Sequence, residues 1–470
     1  MAVPVTFPPL IGSDLEVPLA TGGARRYVNL DAAASTPAMV PVVDAVMRAL
    51  PWYSSVHRGA GFASQVSTRL YEGARETLAG FVGAGPDDSV VFVRNTTDAL
   101  NTVAACLPLR SGQVVLSTAV EHHANMLPWR RRAPVVALSP PPSSEALIAA
   151  VGAALRSHDV GVVSITGASN VTGEVFPIAE VARLAHEQGA TVVVDAAQLA
   201  PHRRIDMAAT GIDCLALSGH KMYAPFGAGA LLFPRALLAD CEPFLAGGGA
   251  VEFVTLDDVL WTGLPDRLEA GSPNVLGAVA LATAAGVLAE LGMEAIAEHE
   301  RRLLAALEAR LGRMPRVTVH RLWHGAAVDR VGVVTFTVEG MHHALVAAAL
   351  SAEYAIGVRH GCFCAHPYIT HLLGVTPAQA LEIRDELRRG EHAAIPGAVR
   401  ASFSIGTEEA DIDLLADALE EIISRGPRLS YRQDPSTGDF LPVDDPRRPP
   451  ELTPYIPLGA ELQGAGCGSF

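Results

Sequence analysis

The stretch Cys214-Leu215-Ala216-Leu217-Ser218-Gly219-His220-Lys221 decides how this chain is read. Its apolar half reads as a strand, and the small polar turn that follows ends in a lysine. A loop with one proline and two glycines, Met222 to Gly229, comes next. A strand that delivers a lysine into a tight polar loop holds an amine where it can form a Schiff base. Ser218 and His220 beside it can hydrogen-bond a phosphate. A lone lysine after a strand is more commonly a surface residue, so the decision rests on the flanks.

The flanks alternate between strand and helix patterns. Residues 89–93, 114–117, 160–166, 191–194, 213–217 and 228–233 read as strands, with helical spacing at 41–50, 70–82, 145–155 and 177–188. This alternation predicts an α/β sheet domain. Residues 191–194 are continuously apolar, as in a parallel sheet covered on both faces, and lead into Asp195-Ala196-Ala197-Gln198. A carboxylate there lies where α/β sheets place their sites, although a helix N-cap uses aspartate equally well. Strand 89–93 runs into Arg94-Asn95-Thr96-Thr97-Asp98. Free N–H groups and hydroxyls at that helix start suit an anion, and threonine is also an ordinary cap. Strand 114–117 precedes Glu121-His122-His123-Ala124-Asn125, where an imidazole can stack on a flat ring.

Composition narrows the function classes. The chain has 470 residues, 49% of them apolar, and a formal charge of −15. That charge argues against nucleic-acid binding, which needs clustered Lys and Arg. Residues 1–18 lack a basic region followed by an apolar core, so no secretion signal is expected. The apolar run 275–289 reads as a buried helix rather than a membrane span. Six cysteines are too sparse for a disulfide framework and suggest a reducing, cytoplasmic setting.

Helix 294–311 leads into a second group of elements: strands at 317–321 and 331–338, a helix at 342–351, a strand at 399–404 and a helix at 408–423. Among them lies Gly357-Val358-Arg359-His360-Gly361-Cys362-Phe363-Cys364-Ala365-His366-Pro367. Without a second Cys pair at ligand spacing no metal is expected, and a reactive thiol near Arg and His is the sharper reading. Residues 1–26 read as an irregular arm. Prolines after Gly426 exclude long helices. Tyr431, Phe440, Leu441, Tyr455 and Ile456 can pack as an extended strap, with disorder as the alternative, and Cys467 is left over.

Taken in order, Leu30-Asp31-Ala32-Ala33-Ala34-Ser35, Val56-His57-Arg58-Gly59, Thr96-Thr97-Asp98, the Glu121–Trp129 segment, Ser169-Asn170-Val171-Thr172-Gly173, Asp195-Ala196-Ala197-Gln198, Ser218-Gly219-His220-Lys221, Glu269-Ala270-Gly271-Ser272-Pro273-Asn274, Cys364-Ala365 and Val399-Arg400-Ala401-Ser402 resemble the class V, fold-type I pyridoxal-phosphate enzymes. Within them the chain is most similar to the group II cysteine desulfurase and selenocysteine lyase family. The resemblance implies an α/β fold: a large domain with a mainly parallel seven-stranded sheet flanked by helices, and a smaller α+β C-terminal domain. It divides the chain into an arm (1–26), a cofactor domain (27–292), a small domain with the Cys364 loop (293–425) and a Pro-rich extension (426–470).

The resemblance also implies roles. Lys221 would hold pyridoxal 5'-phosphate and move the proton at the substrate's α-carbon. Asp195 would pair with the ring nitrogen, His122 stack on the ring and Gln198 bond its phenolic oxygen. Thr96, Thr97, Ser218 and His220 would hold the phosphate, and Ser272 would reach the phosphate of a neighbouring subunit, which implies a homodimer with shared sites. Arg400, helped by Asn170, would clamp the substrate carboxylate, with Ala33, His57 and Arg359 near it. Cys364 occupies the nucleophile position and would take sulfur from L-cysteine as a persulfide, leaving alanine, for an acceptor protein or thiol. Cys362, Phe363, Ser55, Gly61 and Asn95 depart from the usual pattern, as does the extension after Gly426. These changes leave open another class V activity, such as a C–S lyase, epimerase or aminotransferase. An idle sulfur-relay or partner-binding protein is the reading from outside enzymes, and Lys221 with Asp195 and His122 argues against it.

Overall fold

The computed structural model describes residues 6–325, 328–393, 395–453 and 456. It separates into two compact units. The first comprises Ser35–His299 and Leu322–Val331 with the described residues up to Ile11. The second comprises Gly12–Ala34, Glu300–Arg321 and the described residues from Gly332 onward.

The first unit is built on a seven-stranded sheet of β1 (Asp88–Val93), β2 (Val114–Thr118), β3 (Val135–Leu138), β4 (Val160–Thr166), β5 (Thr191–Asp195), β6 (Cys214–Ser218) and β7 (Gly229–Pro234). Their spatial order is β1-β7-β6-β5-β4-β2-β3. Strands β2 to β6 pair in parallel, and only β7 runs against its neighbours β1 and β6. The β5 and β6 runs Val192–Val194 and Cys214–Ser218 are fully buried, as their apolar sequences require of strands covered on both faces. Helix α1 (Phe62–Phe81), helix α2 (Thr96–Cys106) and helix α3 (Val275–Leu291) belong to this unit. Helix α3 is apolar on nearly all sides and is largely buried. No single helix among the described residues is long and apolar enough to cross a membrane. Strand β3 had no counterpart in the sequence reading. It is four residues long and sits half-buried at the sheet edge, where the pattern is weakest.

The second unit has its own sheet of β8 (Val317–His320), β9 (Val333–Val338), β10 (Arg359–Gly361) and β11 (Ala398–Ser402), in the antiparallel order β8-β9-β11-β10. Its core joins Leu30, Val334, Phe336, Leu350, Val399, Phe403, Leu415 and Leu419. Two segments read as irregular contain short hairpins. Glu16–Pro18 pairs with Ala24–Arg26 around a turn in which Gly22 and Gly23 hold φ of 96° and 80°, a region that favours glycine. Tyr431–Gln433 pairs with Phe440–Pro442, and the buried Glu353 carboxylate accepts from the Arg428 and Leu429 N–H groups and the Tyr431 hydroxyl. Of the expected strap residues, Tyr431, Phe440 and Leu441 lie in this hairpin and Ile456 is exposed, while Tyr455 and Cys467 lie outside the described residues.

Candidate active site

The lysine loop is fixed by its backbone. Strand β6 ends at Ser218, and Gly219 donates to the Ala228 carbonyl at 2.8 Å. A Cβ on Gly219 would meet that carbonyl oxygen at 2.7 Å, so only glycine fits. The His220 carbonyl accepts from the Thr36 N–H (2.8 Å) and hydroxyl (3.1 Å) and from the Ser35 hydroxyl (3.2 Å). The Thr36 hydroxyl in turn accepts from the Tyr223 N–H at 2.7 Å, and Tyr223 is held at φ 63°. From below, the Asn274 amide donates to the carbonyls of Phe226 and Gly227. Lys221 thus stands on a loop tied at both ends.

Beside it is Asp195, at the carboxyl end of β5, buried and accepting the Ala197 N–H at 3.0 Å. Burial raises its pKa, while the Ala197 N–H and the positive Lys221 pull it down. Glu121 follows β2 and is wholly buried between the Thr118 hydroxyl (2.8 Å) and the Asn125 amide (2.7 Å). Burial pushes its pKa up to about 8, with the Asp195 charge adding to the rise. Glu121 is therefore protonated at neutral pH. His122 accepts the Ala124 N–H on Nδ1 at 3.1 Å, which places the proton of the neutral ring on Nε2. Gln198 is buried three residues beyond Asp195.

The start of α2, which carries Thr96 and Thr97, lies against the strand end that carries Ser218. Gly229 of β7 pairs with Ser218, and a Cβ on it would lie 2.9 Å from the Asn95 Cα, so the start of α2 abuts the end of β6. Asn95 caps α2 by accepting the Asp98 N–H at 3.0 Å, and Asp98 is buried and takes Arg94. Thr97 is exposed at that helix start. The hydroxyls of Thr96 and Ser218 are buried without a hydrogen-bond partner. Orphaned donors at a helix N-terminus, with a buried carboxylate and a lysine next to them, match the donor set that a pyridine ring bearing a phosphate requires. Asn170 is buried in the loop after β4, where the Ser169 hydroxyl accepts the N–H groups of Val171 and Thr172.

One charged network escaped the sequence reading. Glu269 accepts both guanidinium ends of Arg75 (2.7 and 2.6 Å), the Tyr71 hydroxyl (2.8 Å) and the Phe92 N–H (2.5 Å). Glu269 and Asn274 therefore pin the two ends of the segment that carries Ser272, which is exposed. His57 joins this network through Glu72, its Nε2 2.8 Å from the carboxylate, and holds φ 66°. The i, i+3 spacing of Glu72 and Arg75 was visible in the sequence, but their partner Glu269 lies 194 residues away.

Of the carboxylate and thiol candidates, Ala33, Arg359, Arg400 and Cys364 belong to the second unit, while His57 and Asn170 belong to the first. Arg400 on β11 is buried, with its guanidinium 4.9 Å from the centre of the Phe363 ring and 3.3 Å from Asp31. Burial lowers its pKa, while the charges of Asp31 and Cys364 raise it again. Arg359 of β10 lies directly across the sheet from Arg400 and reaches the other Asp31 oxygen at 3.0 Å. The buried Ala33 N–H donates to the Ser402 hydroxyl at 2.9 Å. Phe363 and Cys364 hold φ of 53° and 54°, left-handed values that side chains rarely adopt. This turn buries Cys362 and Phe363 and presents Cys364 to solvent.

The sequence model described as Aminotransferase class-V matches residues 28–415. A probable cysteine desulfurase of Halalkalibacterium halodurans is 34% identical over 406 residues, covering 84% of this chain and 92% of the relative. A cysteine desulfurase of Escherichia coli is 32% identical over 417 residues, with 84% and 92% covered. The apo cysteine desulfurase of Thermococcus onnurineus superposes with a TM-score of 0.74 at 30% identity, covering 84% of this chain and 94% of the other. The cysteine desulfurase CsdA of Escherichia coli, solved in an S-sulfonic acid form, does so with a TM-score of 0.70 at 31% identity and the same coverage. The chain belongs to the class V aminotransferase family, a family of pyridoxal-phosphate-dependent enzymes, and is an enzyme of its cysteine desulfurase-like kind.

Proposed function

We propose that the chain binds pyridoxal 5'-phosphate and desulfurates L-cysteine to L-alanine, passing the sulfur to Cys364. The observation that carries the reading is the Cys364 turn: an exposed thiol on a left-handed turn whose neighbouring ring supports the buried guanidinium of Arg400. The names borne by relatives at about one-third identity support the same substrate. Bound cofactor supplies an electron sink for the substrate's α-carbon. Lys221 would hold it and move the substrate's α-proton, and Asp195 would hold its ring nitrogen. Thr96, Thr97, Ser218 and His220 would hold the phosphate, and His122 and Gln198 would hold the ring. Arg400, with Asn170, holds the substrate carboxylate. The Cys364 thiolate attacks the substrate sulfur. The new S–S bond forms as the C–S bond breaks, and the electron pair leaves with carbon and is protonated to give alanine. The resulting persulfide is consumed by a thiol-bearing acceptor.

Two further parts of the reading concern assembly and setting. The exposed apolar side chains of Phe253, Leu256 and Leu260 on the hairpin Val251–Val254 with Val259–Trp261 support a homodimer. The free state of the five described cysteines is consistent with a reducing, cytoplasmic compartment. The test of the activity is product analysis with L-cysteine. Alanine in equal amount to the sulfur released, lost in Lys221→Ala, is expected. Pyruvate in place of alanine would overturn the desulfurase reading and indicate β-elimination.

A further inference from the structure

Two thiols away from the candidate site meet inside the first unit. Cys106, the last residue of α2, is buried in the core that holds Val103, Leu107, Leu231, Leu238 and Leu268. Cys241 follows the turn Arg235–Leu238 and packs half-buried against the same core. The segment from Cys241 to Phe244 wraps the Cys106 sulfur. That thiol lies 3.6 Å from the Glu242 carbonyl, accepts from the Phe244 N–H and shares a side-chain hydrogen bond with Cys241. Arg267 fixes the segment by donating to the carbonyls of Thr262 (2.7 Å), Ala239 (2.5 Å) and Cys241 (3.3 Å). The two sulfurs are unequal. The hydrogen bond to Cys241 and burial push the Cys106 thiol up. The hydrogen bond from Cys106 and the Arg267 charge hold Cys241 below the ordinary thiol value, against burial and the Asp240 charge.

We propose that Cys106 and Cys241 form a reversible dithiol–disulfide pair oxidised by hydroperoxides, in which Cys241 meets the oxidant and Cys106 resolves it. The Cys241 thiolate attacks one peroxide oxygen. The O–O bond breaks, the leaving oxygen takes a proton, and Cys241 becomes a sulfenic acid. The Cys106 sulfur then attacks the Cys241 sulfur. The S–S bond forms as the S–O bond breaks, and the departing hydroxide leaves as water with the Cys106 proton. The two thiols together give two electrons to one peroxide. A thiol reductant reverses the link by exchange. In a reducing compartment such a pair follows the oxidant supply instead of serving as a permanent brace. The link ties the C-terminal end of α2, whose other end carries Thr96 and Thr97, to the loop that leads into the hairpin at Val251–Val254. It needs neither the cofactor nor Cys364.

The test exposes the folded full chain, reduced and then freed of reductant, to hydrogen peroxide. Remaining thiols are alkylated under denaturing conditions, and the digest is mapped by mass without reductant. A cross-linked Cys106–Cys241 peptide pair is expected, two hydrogens lighter than the reduced peptides together and returned to two free thiols by dithiothreitol. In Cys106→Ser the sulfenic acid should persist on Cys241 and be trapped there by dimedone. In Cys241→Ser the oxidation of Cys106 should slow by about tenfold or more. The wild-type map decides the pairing even where a variant does not fold. Cys106 and Cys241 both recovered as free thiols once Cys364 is oxidised would overturn the proposal. So would sulfinic acid on Cys241 without the cross-link, a disulfide from either residue to Cys364, or undiminished oxidation of Cys106 in Cys241→Ser.

Discussion

Glu121 and Asp195 are two buried carboxyl groups in one electrostatic neighbourhood, and burial raises the pKa of both, that of Glu121 to about 8. Their surroundings differ. Asp195 has a backbone N–H and the positive Lys221, while Glu121 has only the neutral donors of Thr118, Asn125 and the chain.

That difference gives a pH prediction. Glu121 holds its proton in the fold up to about pH 8, whereas the unfolded chain loses it near the model-peptide value of 4.5. Its contribution to stability is therefore complete in acid and declines as pH rises from 4.5 through about 8. Denaturant unfolding of Glu121→Gln should show a flatter stability profile over that window than wild type. Glu121→Ala leaves the Thr118 hydroxyl and Asn125 amide without their partner and should cost about 1–3 kcal/mol. A profile for Glu121→Gln identical to that of wild type would refute the assignment.

The histidines of the second unit predict the opposite slope. His343 donates Nε2–H to the Ile395 carbonyl at 3.0 Å and stacks on His360, whose Nε2 lies 3.4 Å from Asp439. Burial lowers their pKa values to about 3 and about 4, from 6.5. The fold therefore keeps them neutral, and their contribution is complete above 6.5 and lost as pH falls toward about 4. The unfavourable Asp439 ionisation works in the other direction, since burial raises its pKa. Protease cutting at residues 431–442 should accelerate between pH 7 and pH 5, and His360→Asn should reduce that acceleration.

Arg400→Lys should separate binding from folding. Lysine keeps a charge but not the planar fork, nor the stacking on Phe363. A rise in KM for L-cysteine of about ten- to a hundredfold, corresponding to about 1.5–3 kcal/mol, is expected with a smaller change in kcat. An unchanged KM would remove Arg400 from the clamp.

The two cysteines of the turn should behave differently. Cys364 is exposed and Cys362 is 1% exposed. Iodoacetamide should alkylate Cys364 first, and Cys362→Ser should leave sulfur transfer largely intact. Preferential labelling of Cys362 in the folded chain would reverse the assignment.

Much of the sheet was legible because its central strands are continuous apolar runs. Each strand end was marked by a local motif: Asp195 after β5, Ser218 to Lys221 after β6, Thr96 and Thr97 after β1. What escaped was set by distant partners. Helix Pro377–Arg388 has no buried residue and gave no apolar stripe, although Thr376 and Gln379 form a capping box that a closer reading could have used. The Arg75–Glu269 pair and the double engagement of Asp31 depend on tertiary proximity across 194 and 369 residues. The positive φ of Phe363 and Cys364 has no sequence signal, since neither residue type favours it.

In the proposed reaction, sulfur from L-cysteine comes to rest on Cys364. The most direct measurement is the mass of the Cys364 peptide after the holoenzyme has met L-cysteine and been alkylated without reductant. A gain of one sulfur atom on Cys364, absent in Cys364→Ser and in Lys221→Ala, is expected. An unmodified Cys364 in enzyme that is producing alanine, or the extra sulfur on Cys362 alone, would contradict it.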